Sequence, residues 1–397
     1  MWYPGVTDLL SSFDKVCIVY DTSILSSHIH PSRHPKMQKA PFPTFFKRLQ
    51  STMTSPKTYV QRPSPPKPLA PPILSSQLPD NFVLAGIHTH IKKKSVPDLG
   101  MILSTVKGGK GASAAACFTK NAFKAAPVLV SEEVLRKNGG RARGVIVNSG
   151  CANAVTGKQG MEDAWSMVRE TDKVLKEIVG KDSEGEETLV MSTGVIGQNL
   201  PIQNIITGIR SLSPTSNSSQ LGSTEEHWDL ASRAFLTTDT FPKLRARTFR
   251  MGGVEYRMAG MDKGAGMIHP DMGPPSSAAL HATLLGCILT DAPISPRSAQ
   301  SALTYAVERS FNSISVDGDM STNDTIILLA NGAGAGKGVA EVDEDTHPRE
   351  YEEFKTTLTE FAIELAQLVV RDGEGATKFV TVTVKVCPSP PARRFFC

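Results

Sequence analysis

The segment MDKGAGMIHPDM (Met261–Met272), followed by HATLLGCILTDAPIS (His281–Ser295), combines flexible glycines, a single lysine and an Ala–Thr junction at the head of an apolar strand. A threonine hydroxyl is a poor nucleophile until a base removes its proton. An N-terminal threonine supplies that base itself, through an α-amine of unperturbed pKa about 7.7 to 8.0. The chain must be cut to expose the amine, and the Thr283 hydroxyl can make the cut by attacking the Ala282 carbonyl, moving the acyl bond from nitrogen to oxygen before hydrolysis. The residues alone leave a plainer reading open, because β propensity by itself favours threonine at a strand's start.

Other motifs exclude chemistry more than they offer it. NGAGAGKG (Asn331–Gly338) has Asn331 where a phosphate loop needs its first glycine and Gly338 where it needs Ser or Thr, and Lys337 breaks GxGxxG. DGDMSTNDT (Asp317–Thr325) lacks the EF-hand register and reads as a tight polar turn. The six cysteines are scattered, with no CxxC pair, which argues against a metal site or a disulfide framework and for a reducing compartment. Cys151 in NSGCANA has no histidine partner motif and is expected to be a small buried residue. The formal charge of +4 argues against a nucleic-acid surface, and the short run Lys92, Lys93, Lys94 is explained by a solvated turn. No apolar run approaches the roughly 20 residues that span a bilayer.

Positioning these residues requires a sizeable body, and 397 residues, 40% apolar and 21% charged, can supply one. Residues 1–77 read as a targeting or disordered and Pro-rich region. MQKAPFPTFFKRLQSTMTS, from Met37, is basic, hydroxyl-rich and acid-free, which suits a mitochondrial presequence, and QRPSPPKPLAPP suits an extended linker. From about Leu78 apolar strands alternate with amphipathic helices. Strands are expected at Gly144–Gly150, Thr283–Thr290, Thr325–Ala330 and Phe379–Val386. Helices are expected over Met161–Val179, from Ser295 with Pro296 first, and over Pro348–Val370, where Tyr351, Phe354, Leu358, Phe361, Leu365 and Leu368 recur at three- and four-residue steps. Ser211–Thr224 reads as a surface loop. The mixture predicts an α/β or α+β layered fold with helices covering sheets.

KGAGMIHPDM and ATLLGCILTDAPIS, together with MSTGVIG, TTDTFPK, DGDMSTNDT and RDGEGATKFVTVTV, resemble in order the signatures of the ArgJ family of its fungal mitochondrial type, from about Leu78 to Val386. That resemblance implies a sandwich of β-sheets flanked by helices of the DmpA and ArgJ kind, self-processed to an N-terminal threonine. It implies a bifunctional glutamate N-acetyltransferase and ornithine acetyltransferase of the mitochondrial matrix. Acetyl passes in a ping-pong cycle from N-acetylornithine to glutamate, with acetyl-CoA an additional donor for some members and no metal or bound cofactor. By the same resemblance Thr283 is the nucleophile, Ala282–Thr283 the cleavage junction, Thr193 and Gly194 the oxyanion hole, and Thr237, Lys263, Thr283 and Glu374 the substrate-binding residues. Oxyanion donors of this kind are worth roughly 3 to 4 kcal/mol each. An α chain (78–282) and a β chain (283–397) are expected to stay associated as a heterotetramer, with small-molecule substrates and neither nucleic acid nor membrane as partner.

Two departures qualify the expectation. Gly273–His281 intervenes between PDM and the Ala–Thr junction, and the chain ends in CPSPPARRFFC where the family continues with further sheet and helix. The second predicts that the C-terminal part of the fold, one wall of the site, is missing. Competing readings are an N-terminal-nucleophile amidohydrolase, in which water accepts the acyl group, and a shortened, non-catalytic relative.

Overall fold

In the computed structural model, residues 16–21, 73–108, 111–180, 185–275, 284–336 and 339–383 are described. Two sheets dominate. The first is four-stranded, in the order β2 (Phe82–Ile87), β3 (Leu99–Ser104), β6 (Gly144–Cys151), β7 (Thr188–Val195). The second is seven-stranded. Its path runs β10 (Met272–Gly273), β4 (Ala112–Thr119), β13 (Thr325–Ala330), β11 (Leu285–Thr290), β9 (Val254–Lys263), β8 (Lys243–Met251), with β5 (Arg141–Ala142) paired to β4.

The central strands of the larger sheet are apolar at nearly every position because both of their faces are covered. Side chains on a strand alternate between faces, and here the two sets enter two different cores. Leu285, Cys287 and Leu289 of β11 join Ile327 and Leu329 of β13 and Ala114, Ala116 and Phe118 of β4 in the core shared with the four-stranded sheet. Ile288, Ile326, Leu328, Ala115 and Cys117 point the other way, into the second core. That core is closed by α5 (Pro296–Arg309) and α6 (Pro348–Arg371), through Leu303, Val307, Phe354, Phe361 and Leu365.

The smaller sheet is covered by α1 (Ala126–Lys137) and α2 (Gly157–Val179) along β7 and by α3 (Ile202–Ser211) and α4 (Glu225–Phe235) on opposite faces. The cross-strand pair Gly86 and Gly100 lies against α4, where a Cβ on Gly86 would come within 2.0 Å of the Leu230 carbonyl oxygen. The next pair, Ile87 and Leu99, lies against Gly208 of α3.

The sandwich of sheets flanked by helices is the layered α/β fold expected from the sequence. Ser295 caps α5 by accepting from Ser298 N–H at 3.3 Å, with Pro296 as first helical residue. Strand β11 starts at Leu285, and Thr283 lies outside the described residues. A third, small sheet joins β12 (Ile314–Ser315), β1 (Val16–Asp21) and β14 (Lys378–Thr383), so a strand occurs within the region read as targeting and linker.

Candidate active site

The two sheets come together at the carboxyl end of β9. Lys263, the last residue of that strand, pairs with Leu285 at the start of β11, and Leu285 in turn pairs with Thr325 at the start of β13. Lys263 is buried at 3% exposure, and its Nζ donates to Thr193 Oγ1 at 3.4 Å. Thr193 belongs to the parallel pair β6–β7, where it lies opposite Ser149, so this hydrogen bond ties the larger sheet to the smaller one. A second tie lies beside it, where Asn323 Nδ2 donates to the Ala152 and Ser192 carbonyls at 2.6 and 2.8 Å.

After Thr193 the backbone turns through Gly194, whose φ of +127° belongs to glycine. Gly194 is paired with Gly150, and a Cβ there would lie 2.3 Å from the Gly150 carbonyl carbon. Glu374 reaches the site from the turn after α6. Its N–H donates to the Ala265 carbonyl at 2.6 Å, and the bare face of Gly266 leaves room for its carboxylate, which a Cβ would approach within 2.8 Å.

A network of buried charge stands behind these groups. Asp239 accepts from Lys243 Nζ at 2.6 Å, Gly264 N–H at 2.7 Å and Thr237 N–H at 2.9 Å. Asp372 accepts from Lys243 at 2.8 Å and from both the N–H and hydroxyl of Thr240. Burial opposes ionisation of Asp239, yet Lys263 and Lys243 outweigh it and hold the carboxyl well below the usual range. Burial depresses the Lys263 ammonium, with Asp239 opposing the shift. Two further carboxyls are shifted the other way. Burial drives Asp324 well above the ordinary range, although it accepts from Leu284 N–H, and burial does the same to Asp262, neither of whose oxygens has a hydrogen-bond partner among the described residues.

The ArgJ family profile matches residues 83–393. The chain is 64% identical over 347 residues to "Arginine biosynthesis bifunctional protein ArgJ, mitochondrial" of Postia placenta, covering 87% of this chain and 72% of the relative. It is also 64% identical over 352 residues to the protein of the same description from Coprinopsis cinerea, with the same two coverages. The chain belongs to the ArgJ family. Among solved structures it is similar to ornithine acetyltransferase of Mycobacterium tuberculosis complexed with ornithine, at 31% identity and a TM-score of 0.42 over 50% of this chain and 98% of that one.

Of the residues singled out by resemblance to ArgJ, the structure gathers Thr193, Gly194, Lys263 and Glu374 around the entry to β11, and Thr237 joins them through Asp239. Ala282 and Thr283 lie outside the described residues, and the chain resumes at Leu284, whose N–H is held by Asp324. Cys151 is a buried thiol on the Gln198 carbonyl, its pKa raised by burial. Asp239, Lys243, Asp324 and Asp372 were not singled out. Asp239 and Lys243 stand inside TTDTFPK and Asp324 inside DGDMSTNDT, so the motifs carried a signal that residue type alone did not.

The solvated-turn reading of the Lys92–Lys94 run needs correction. Lys93 and Lys94 are exposed, but Lys92 is half-buried, and burial brings its ammonium down to about 8. A groove of about 560 Å³ between residues 86–97 and α3 opens elsewhere and is not lined by Thr193, Lys263 or Glu374.

Proposed function

We propose that this ArgJ-family chain transfers acetyl from N-acetylornithine to glutamate in arginine biosynthesis, through an acetyl-threonine on Thr283 formed after self-cleavage at Ala282–Thr283. The Thr283 oxygen attacks the donor's acetyl carbonyl while its proton passes to the Thr283 α-amine. The Thr193 hydroxyl and the Gly194 N–H face the developing oxyanion. Collapse of the tetrahedral adduct breaks the amide bond and releases ornithine, which takes the proton. The glutamate α-amine then attacks the ester carbonyl and gives a proton to the α-amine of Thr283; the acyl C–O bond breaks, the proton returns to the Thr283 oxygen, and N-acetylglutamate leaves. Acetyl-CoA enters the same cycle as an alternative co-substrate, with no metal or bound cofactor.

The observation that carries this reading is the meeting of Lys263 with Thr193 across the two sheets, at the mouth of the strand that follows Thr283. Lys263 offers a cation to a substrate carboxylate and Glu374 a carboxylate to the ornithine ammonium. The enzyme is mitochondrial, as its relatives are named, and its substrates are small molecules. The α chain (78–282) and β chain (283–397) remain paired, and two such pairs make a heterotetramer.

Intact-mass measurement of the purified protein should give two fragments meeting at Ala282–Thr283, and Thr283→Ala should give one chain. Incubation with N-acetylornithine and glutamate should yield N-acetylglutamate. Release of free acetate alone identifies an amidohydrolase, and a single chain in both preparations removes the nucleophile assignment.

A further inference from the structure

Lys92 lies at the edge of the same site, in the segment between β2 and β3. Its N–H donates to Asp98 Oδ2 at 3.1 Å and its Nζ to the Pro97 carbonyl at 2.9 Å. Its stem rests on Gly150, where a Cβ would lie 3.1 Å from Lys92 Cγ and 3.0 Å from Ile91 Cγ2. Gly150 is the β-partner of Gly194, so Lys92 stands one strand from the expected oxyanion hole.

Asp98 and Asp239 act on Lys92, but neither forms an ion pair with it among the described residues. Asp98 already accepts from Thr89 N–H and hydroxyl, from Ile91 N–H and from Lys92 N–H, and His88 Nδ1 lies 2.9 Å from it. Across the site the facing groups are Asp239 and Lys263. Asp239 is taken up by Lys243, Gly264 and Thr237. Neither Lys92 nor Lys263 has a carboxylate oxygen at ion-pair distance among the described residues, whereas Lys243 has two. Two partly or wholly desolvated ammonium groups with unused donors form a place for an anion. An N-acetylated amino acid brings one. Its α-nitrogen is an uncharged amide, so the α-carboxylate is the unpaired charge at the reacting end.

We propose that Lys92 is a substrate-binding residue whose ammonium takes the α-carboxylate of the amino-acid substrate, a role that rests on the acyl-transfer reading of this site. Lys92 joins Lys263 in holding the carboxylate, and the Pro97 carbonyl and Asp98 turn hold Lys92 in place. Because burial brings the free Lys92 ammonium down to about 8, carboxylate binding weakens above that pH.

The test is calorimetric titration of the purified protein with glutamate and with its α-amide, isoglutamine, which lacks only the α-carboxylate charge. Lys92→Met is expected to raise the glutamate Kd about 10- to 100-fold, the range for a charge-assisted hydrogen bond. Isoglutamine should bind wild type and variant alike, and Lys92→Arg should recover most of the glutamate affinity and lose its decline above pH about 8. Lys92→Gln, with its smaller and polar side chain, serves if the methionine variant misfolds. A Kd within twofold of wild type, equal losses for both ligands, or no glutamate binding by the wild type overturns the assignment. Binding is read without turnover. A wild type that binds glutamate but forms no N-acetylglutamate therefore refutes acyl transfer and still decides Lys92.

Discussion

Three buried or half-buried lysines fall into two sets within one site and differ in what neutralises them. Lys243 is clamped between Asp239 and Asp372, whose remaining oxygens take backbone and hydroxyl donors, and burial is outweighed so that its ammonium is held above the ordinary value. Lys263 donates to the Thr193 hydroxyl and Lys92 to the Pro97 carbonyl, and burial lowers both ammonium groups. The first set is electrically closed and joins the 237–243 segment to the turn after α6. The second is open and faces the strand entry where the reaction is placed. Cations locked into ion pairs hold the fold, and cations that form no ion pair among the described residues are left to serve a ligand.

The largest expected effect breaks the closed set. Lys243→Met leaves Asp239 and Asp372 without their shared cation, and stranding buried charge costs about 3 to 5 kcal/mol. Lys263→Met removes an ammonium whose hydrogen bond goes to the Thr193 hydroxyl and leaves Asp239 its Lys243 partner, so the loss in unfolding free energy should stay below that of Lys243→Met, at about 1 to 2 kcal/mol, while glutamate binding falls. Denaturant unfolding of the two variants, read beside glutamate titration, gives opposite rankings if the distinction holds. Equal stability losses would erase it.

A smaller effect is expected at Gly194, which supports the open set. Alanine there must hold a φ near +127° and displace the Gly150 backbone, at a cost of about 1 to 3 kcal/mol. The shift passes through Gly150 to the stem of Lys92, so Gly194→Ala should weaken glutamate binding while leaving the Lys243 clamp intact. Hydrogen exchange of the Thr240 and Gly264 amides, held by Asp372 and Asp239, checks the latter. Early exchange at those amides would show that the two sets are mechanically coupled.

Much of this arrangement was legible in the sequence, and the remainder was hidden for physical reasons. Pro296 and Pro348 marked the starts of α5 and α6, and the run Thr325–Ala330 marked a strand, which the structure covers on both faces. The β8–β9 hairpin was overlooked although Gly252 and Gly253, with φ of 59° and 80°, form its two-residue turn. Its strands mix charged and apolar residues, since Lys243, Arg245 and Asp262 are themselves buried, and this masks the usual alternation. Family motifs brought Thr193, Lys263 and Glu374 to one site. Lys92 was hidden in a run of three lysines, because only tertiary contact with Gly150 distinguishes it from its exposed neighbours.

The finest test compares two carboxyls on either side of the same lysine. Asp239 has its pKa held down, because Lys263 and Lys243 outweigh its burial, whereas Asp262, paired across the sheet with Lys243 but with no side-chain hydrogen bond among the described residues, is pushed well above its ordinary value by burial. Their linkage to stability has opposite sign. Asp239 contributes stability that is present above its unfolded value of about 3.9 and lost as pH falls through the folded value. Asp262 contributes stability that is complete below about 3.9 and lost as pH rises through its folded value. Asp239→Asn should therefore flatten the acid limb of a stability–pH curve, although it also lowers stability near neutrality by weakening the Lys243 clamp. Asp262→Asn should differ least from wild type in acid and gain on it steadily as pH rises, because the amide never has to ionise. Urea unfolding across about pH 1 to 8 reads both curves. An Asp262→Asn curve parallel to wild type throughout would mean that this carboxyl is ionised and paired in solution, and that the closed set includes it.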